Sequence, residues 1–79
     1  MILAVDQGTT ATTCLVVDDD LGVLGRGTTE LAQHFPRPGW VEHDPDEIWE
    51  TVLASARAAL ADASVRMSDL DAVAIANQR

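Results

Sequence analysis

The chain begins Met1-Ile2-Leu3-Ala4-Val5-Asp6-Gln7-Gly8-Thr9-Thr10-Ala11-Thr12-Thr13-Cys14-Leu15-Val16-Val17, and these residues decide its fold. An apolar run is followed by a short polar segment and then by a second run that is rich in β-branched side chains. β-Branched residues favour strands over helices. We therefore predict strands over residues 2–6 and 11–17, joined as a β-hairpin.

The segment between these two strands has the residues of an anion site. Asp6 can hold a cation or its waters, Gly8 lets backbone N–H groups approach an anion, and Thr9 and Thr10 add hydroxyl donors. The segment lacks the lysine of a Walker loop, and no helix follows it as a dinucleotide fingerprint requires. From these residues alone, a phosphate-binding loop and a plain tight turn are equally good explanations.

Composition limits the class of protein. The chain has 79 residues, enough for one small domain, and a net charge of −8 with five arginines and no lysine. Such a charge repels nucleic acid and anionic lipid, so we expect neither as a partner. No apolar run approaches the ~20 residues of a membrane-spanning helix, and no basic segment precedes the apolar start as in a secretory signal. These features predict a cytoplasmic protein without membrane insertion.

The middle of the chain predicts a third strand. Residues 18–22 contain three acidic residues and Gly22, which are typical of a turn. Val23 to about Leu31 then reads as a strand, in which Gly25 and Gly27 indicate weakness or a bend. A three-stranded antiparallel meander is the simplest arrangement, and a loop is predicted over residues 33–43.

A helix is predicted from about residue 45 to residue 63. Asp44 is a good N-cap, Pro45 suits the first helical position, and Asp46 and Glu47 favour the positive end of the helix dipole. Apolar residues recur at helical spacing and predict the packed face. These are Ile48, Val52, Ala56, Ala59, Leu60 and Ala63.

The last segment of the chain is predicted to lie beside the anion site. After a connection at residues 64–69, residues 71–76 are almost continuously apolar, which predicts a fourth strand buried on both faces. A strand–helix–strand crossover normally returns parallel to the first strand, so residues 6–10 and 77–79 should meet at one sheet edge. Arg79 would bring a charged, planar guanidinium to a polar ligand there.

Other chemically active residue types have structural explanations. The acidic run at residues 18–20 reads as a solvated turn, and His34 and His43 have no cysteine partners for a metal site. Trp40 and Trp49 read as packing residues. Cys14, the single cysteine, excludes an internal disulfide and reads as a buried thiol.

Three blocks of sequence resemble the FGGY carbohydrate kinase family, and within it the glycerol kinases. Ile2-Leu3-Ala4-Val5-Asp6-Gln7-Gly8-Thr9-Thr10 resembles the family's first phosphate loop. Pro36-Arg37-Pro38-Gly39-Trp40-Val41-Glu42-His43-Asp44-Pro45 is similar to the segment that leads into the first helix, and Ala74-Ile75-Ala76-Asn77-Gln78-Arg79 is similar to a substrate-binding strand end. The resemblance extends through essentially the whole chain.

The resemblance implies an α/β fold of the ribonuclease-H-like, actin-like ATPase type. It implies ATP- and Mg²⁺-dependent phosphorylation of glycerol to sn-glycerol 3-phosphate, and it leaves homo-oligomerisation of the complete protein open. Residue by residue, it places Asp6 near the metal and Arg79 on the polyol hydroxyls, with Thr9 also near the phosphorylated product. The nucleotide phosphates would be bound by Gly8, Thr9, Thr10 and Ala11.

Two departures from the family pattern keep alternatives open. Glycerol kinases typically carry Ser-Ser-Arg or Ser-Thr-Arg after the two loop threonines, where this chain has Ala11, Thr12 and Thr13. A kinase of another polyol or a ketose, or a non-catalytic nucleotide-binding module, would also suit the residues. Family members are also several times longer, so residues 1–79 are expected to be the N-terminal part of the first kinase domain. The general-base Asp would lie beyond them, and residues 1–79 alone would be inactive.

Overall fold

The computed structural model describes residues 1–30 and 45–77, which form a four-stranded sheet with one α-helix packed on it. The predicted loop over residues 33–43, the Asp44 cap and Arg79 lie outside the described residues. No described helix is long and apolar enough to cross a membrane. In chain order the elements are β1 (Ile2–Gln7), β2 (Ala11–Val17), β3 (Val23–Glu30), α1 (Pro45–Ala63), a 3₁₀ turn (Met67–Asp69) and β4 (Ala72–Asn77).

The order of strands across the sheet is β3-β2-β1-β4. β1, β2 and β3 form an antiparallel meander, and β4 pairs with β1 in parallel after the crossover through α1. This arrangement confirms the predicted topology. Pro45 begins the helix as expected, because its fixed φ suits the first turn and its missing N–H costs nothing there.

The core lies between α1 and one face of the sheet. β2 alternates buried and half-buried residues, with Thr12, Cys14 and Val16 turned toward the helix, as the period of two in a strand requires. Leu3 and Val5 of β1 extend the same layer. On the helix side, the buried apolar residues are Ala56, Ala59 and Leu60.

Gly25 lies beside a register shift, where Val16 pairs with Gly25 and Val17 pairs with Val23, in line with the predicted irregularity. Gly25 and Gly27 also serve close packing, which the sequence analysis did not predict. A Cβ at Gly25 would lie 2.5 Å from both the Ala59 carbonyl oxygen and the Ala63 nitrogen. A Cβ at Gly27 would collide with the Ser55 carbonyl oxygen. The helix backbone therefore rests directly on β3, and only glycine leaves room for it.

The predicted burial of strand four on both faces is also wrong for the described chain. Residues 72–76 are exposed, with Val73 at 54% and Ile75 at 69%. The helix packs over β2 and β3, so no helix of residues 1–30 and 45–77 covers β4. The apolar residues of β4 are of types that are usually buried, but at the edge of this sheet they are exposed.

Two positions carry a left-handed backbone without being glycine. Leu21, in the turn after β2, has φ 64°, and Ser64, just past α1, has φ 56°. At Ser64 the helix ends in a Schellman arrangement, in which Val65 N–H donates to the Leu60 carbonyl at 3.0 Å and Ser64 N–H donates to the Ala61 carbonyl at 3.1 Å. Both bonds satisfy carbonyls that the helix end would otherwise leave unpaired.

Candidate functional site

The carboxyl ends of β1 and β4 lie side by side. Gln7 pairs with Asn77, and Asp6 pairs with Ala76, in the parallel ladder between the two strands. The N-terminus of α1 reaches the same edge, since Pro45 and Gln7 line one cleft. The segment that contains Asp6 and the segment that leads to Arg79 therefore leave the sheet at one edge, which confirms the crossover argument up to residue 77.

The polar segment after β1 forms a tight turn. Gly8 N–H donates to the Ala11 carbonyl at 2.9 Å, so Thr9 and Thr10 form a two-residue tip, and both are exposed. Neither threonine has a positive φ, which excludes the type I′ and II′ turns that usually close such hairpins. The structure thus shows a tight turn, and its exposed tip carries two threonine side chains.

Asp6 lies on the face of the sheet opposite α1. The exposed residues of β1 alternate with Leu3 and Val5, which pack toward the helix. Across the strands, Asp6 pairs with Thr13, and Thr13 pairs with Thr28, whose hydroxyl oxygen lies 3.2 Å from that of Thr13. Asp6 therefore begins a polar row that crosses three strands beside the threonine tip.

A buried hydroxyl network lies under the turn, and the sequence analysis did not find it. Thr12, directly opposite Gln7, is fully buried, and its hydroxyl oxygen lies 3.0 Å from that of Thr51. Ser55, also fully buried, donates its hydroxyl to the Thr12 carbonyl at 3.0 Å. The available signal was a pair of small polar residues four apart on the helix, Thr51 and Ser55. The prediction instead followed the apolar periodicity, which marks the neighbouring face of the helix.

An apolar cleft of about 320 Å³ opens between α1 and the β1–β4 edge. Trp49 is 61% exposed at its border, so its predicted role in packing is not met within the described residues. Gln7 contributes a polar amide side chain to the lining. The lining consists of Val5, Gln7, Pro45, Ile48, Trp49, Val52 and Ile75.

Cys14 is a core residue, as predicted. It has no exposed surface, and its sulfur lies 4.0 Å from the Val52 carbonyl oxygen. Burial raises the pKa of the Cys14 thiol above its ordinary value of 9.0, since the low-dielectric core disfavours the thiolate. A protonated thiol is a poor nucleophile, so Cys14 has no part in the chemistry at the sheet edge.

The residues at this edge suit a phosphate group accompanied by a hard cation. In residues 1–30 and 45–77, no three His, Cys, Asp or Glu residues are grouped so as to hold a metal. Asp6 is a carboxylate on this edge that could supply one ligand to such a cation. Mg²⁺ is commonly bound in this way, through one or two carboxylates plus substrate phosphates.

The family assignment rests on the whole length of the chain. A model of the N-terminal domain of the FGGY family of carbohydrate kinases matches residues 1–79. The chain belongs to the FGGY family. The expectation raised by the three sequence blocks is thereby confirmed.

Glycerol kinases are similar to this FGGY chain over nearly all of its residues. The glycerol kinase of Agrobacterium fabrum is 55% identical over 78 residues, and that of Deinococcus radiodurans is 53% identical over 78 residues. Each match covers 99% of this chain but 16% of the relative. The chain thus spans a small part of the length of these relatives.

Solved structures of FGGY kinases share the fold. A xyloylose kinase from Brucella ovis superposes with a TM-score of 0.87 at 26% identity, over 96% of this chain and 16% of that one. A glycerol kinase from Plasmodium falciparum, solved with ADP, superposes with a TM-score of 0.77 at 31% identity, over 99% and 16%. The predicted ribonuclease-H-like, actin-like ATPase fold is confirmed.

Proposed function

We propose that residues 1–79 are the N-terminal part of the first domain of a cytoplasmic, glycerol kinase-like enzyme. In the complete protein, the terminal phosphoryl group of ATP would pass to a terminal hydroxyl of glycerol, giving sn-glycerol 3-phosphate. The observation that supports this most strongly is the identity of 55% with a glycerol kinase over 78 residues. The convergence of the threonine turn and the end of β4 on one sheet edge is the structural support.

The proposed roles follow the positions at that edge. The backbone N–H groups and hydroxyls of Gly8, Thr9, Thr10 and Ala11 would bind the nucleotide phosphates, and Thr9 would also contact the phosphorylated product. Asp6 would hold Mg²⁺ or its waters, and the ion when bound would neutralise phosphate charge. Arg79 would orient the polyol through paired hydrogen bonds.

Phosphoryl transfer depends mainly on placing the reactants and stabilising charge. The polyol oxygen forms a bond to the terminal phosphorus while the bond from that phosphorus to the bridging oxygen breaks. The hydroxyl proton passes to an Asp that lies outside residues 1–79. Because that base and most of the adenosine pocket are absent, we propose that residues 1–79 alone have no kinase activity. Turnover of glycerol and ATP by the purified 79-residue chain would contradict this.

A second candidate keeps the reaction and changes the acceptor to another polyol or a ketose. Ala11 and Thr13 stand where glycerol kinases typically have Ser and Arg, and the superposition on a xyloylose kinase has the higher TM-score, 0.87 against 0.77. An arginine at position 13 would stand beside Asp6 in the ladder, so its absence changes the charge at the site.

A substrate panel on the complete protein separates the two candidates. The panel should contain glycerol, other polyols and xylulose, with kcat/KM determined for each at saturating Mg²⁺ and ATP. Glycerol as the best substrate supports the first candidate, and a ketose as the best substrate replaces it with the second. A complete protein that binds nucleotide but phosphorylates none of these would contradict both and favour a non-catalytic module.

A further inference from the structure

The hydrogen bonds between β2 and α1 are concentrated beside the threonine turn. Of the residues of β2 that face the helix, Thr12 lies nearest the turn and Val16 lies farthest from it. Thr12 is bonded through both its hydroxyl and its carbonyl to Thr51 and Ser55. Val16, equally buried, packs as a hydrocarbon.

The direction of the network can be worked out from its donors. Thr51 donates its single hydroxyl proton to the Ile48 carbonyl at 2.7 Å, so in the 3.0 Å contact the Thr12 hydroxyl is the donor and Thr51 is the acceptor. Ser55 donates to the Thr12 carbonyl from the next turn of the helix. Every hydroxyl proton in the network is therefore used, which a buried polar group requires.

The network holds the base of a turn whose tip is exposed. Thr12 is the residue after Ala11, whose carbonyl closes the turn by accepting from Gly8 N–H. Thr9 and Thr10 at the tip are exposed, and the tip is carried by β1 and β2, so the direction of the tip changes with the placement of these strands. Hydrogen bonds fix an orientation more narrowly than apolar contacts, since they weaken steeply when bent.

We propose that Thr12, Thr51 and Ser55 are positioning residues, which fix the phosphate-binding turn against α1 and so preset its N–H groups for the nucleotide. This inference rests on the proposed function for its kinetic consequence, but its structural consequence is independent. Presetting the donors avoids reorganisation when charge develops on the transferring group. The network therefore affects ATP use and not binding of the polyol.

The test uses the double variant Thr12→Val/Thr51→Val in the complete protein. Removing both partners with side chains of the same shape is nearly neutral for stability, so a wild-type melting temperature is expected. Displacing a reacting group by about 1 Å can cost about 10²-fold in rate, so we expect kcat/KM for ATP to fall by about tenfold or more, with KM for glycerol unchanged. Amide exchange within residues 8–11 should accelerate, above all at Gly8, whose N–H closes the turn.

Two matched variants separate positioning from general stability. Val16→Ala removes buried volume from the same face of β2 away from the turn, so it should lower the melting temperature and leave KM for ATP unchanged. Thr51→Ser keeps the hydroxyl and should retain KM for ATP even if stability falls. Should the double variant fail to fold, Ser55→Ala provides the same comparison.

A double variant with wild-type kcat/KM for ATP and wild-type exchange at residues 8–11 overturns the inference. An equal loss of kcat/KM for ATP in Val16→Ala, measured at a temperature where both variants are folded, overturns it as well. If the unmodified complete protein has no kinase activity, the proposed function fails, and the exchange measurement then decides the positioning role by itself.

Discussion

The two edge strands of the sheet, β3 and β4, differ in how they are covered. On β3, Gly25 and Gly27 let the backbone of α1 rest on the strand, and the Asp62 carboxylate accepts from Arg26 N–H at 2.9 Å. On β4, residues 72–76 are exposed on both faces. One edge is closed by packing and a hydrogen bond, and the other, as far as residues 1–30 and 45–77 are concerned, is open to further pairing.

This difference bears on the site because the threonine turn stands between the two edges. The turn joins β1 to β2, and β2 is tied to α1 on the closed side by the threonine and serine hydroxyls. The segment leading to Arg79 leaves from the open side. The part of the site proposed for phosphate is thus tied to α1 by hydrogen bonds.

Breaking the closed edge should have the largest effect. Gly27→Ala adds a Cβ that collides with the Ser55 carbonyl oxygen and would lie 2.7 Å from the Ala59 nitrogen. Neither backbone atom can move alone, so we expect a loss of about 3 kcal/mol of stability, at the upper end of overpacking effects. Urea denaturation of the 79-residue chain measures this.

Arg26→Ala is the matched control, because Arg26 lies between the two glycines on the opposite face of β3 and is exposed. We expect a change within about 0.5 kcal/mol. Equal losses for Gly27→Ala and Arg26→Ala would show that the helix does not rest on the glycines.

The open edge should make the 79-residue chain self-associate. Among residues 1–30 and 45–77, β4 pairs on one side only, with β1. Val73 and Ile75 on it are 54% and 69% exposed, and exposed edge strands pair with other chains. Ile75→Lys should yield a monomer at concentrations where the unmodified chain associates, as measured by sedimentation velocity.

Leu24→Lys places the same charge on β3, where Leu24 is 42% exposed, and should leave association unchanged. The comparison of the two edges fails if Leu24→Lys disperses the chain as well as Ile75→Lys does, or if the unmodified chain is already strictly monomeric.

A smaller effect is expected at the turn that leads into the closed edge. Leu21 has φ 64° and is 80% exposed, so its side chain contributes little packing to offset the backbone cost. Leu21→Asn should stabilise the chain by about 0.5–1 kcal/mol, since asparagine tolerates this conformation and leucine does not. Thermal unfolding measures the gain. Leu21→Ala keeps the strained conformation, and an equal gain from alanine would refute the explanation.

The smallest effect concerns an ion pair at the start of the open edge. The Met1 ammonium lies 2.5 Å from an Asp71 carboxylate oxygen. The hydrogen bond to Asp71 raises the pKa of the Met1 ammonium above its ordinary 8.0. Stability from this pair is therefore fully present below pH 8.0 and is lost as pH rises through the higher folded-state pKa.

Denaturation of the 79-residue chain at a series of pH values tests this. Asp71→Asn should flatten the fall in stability above pH 8.0, whereas Cys14→Ala should alter it only above 9.0, where the unfolded thiol ionises. No lysine or tyrosine is present to add a further titration. An unchanged slope in Asp71→Asn would assign the fall to another group.

The sequence predicted the parts of the fold that rest on local pattern. Strand and helix bounds came within a residue or two, because β-branched runs and the proline start of α1 are local signals. The parallel return of β4 followed from the handedness and length of the crossover. The positions of Asp6 and the threonine tip follow from the strand bounds and the crossover alone, and the structure places both at the expected sheet edge.

What the sequence did not predict depends on partners that are distant along the chain. The helix-facing role of Thr51 and Ser55 required knowing that Thr12 lies opposite them. The function of Gly27 required knowing that a helix approaches it. The exposure of β4 required knowing which strands α1 covers. All three features depend on which elements contact each other, and residue type alone does not reveal that.

The two faces of β2 differ in how freely their residues can be substituted. Ala11 and Thr13, the positions that depart from the family pattern, are half-buried residues of the face turned away from α1, whereas Thr12, Cys14 and Val16 face the core. Substitutions at 11 and 13 can therefore change the chemistry of the edge while the core keeps its shape. A lineage could change the side chains at these two positions without first having to acquire compensating mutations in the helix.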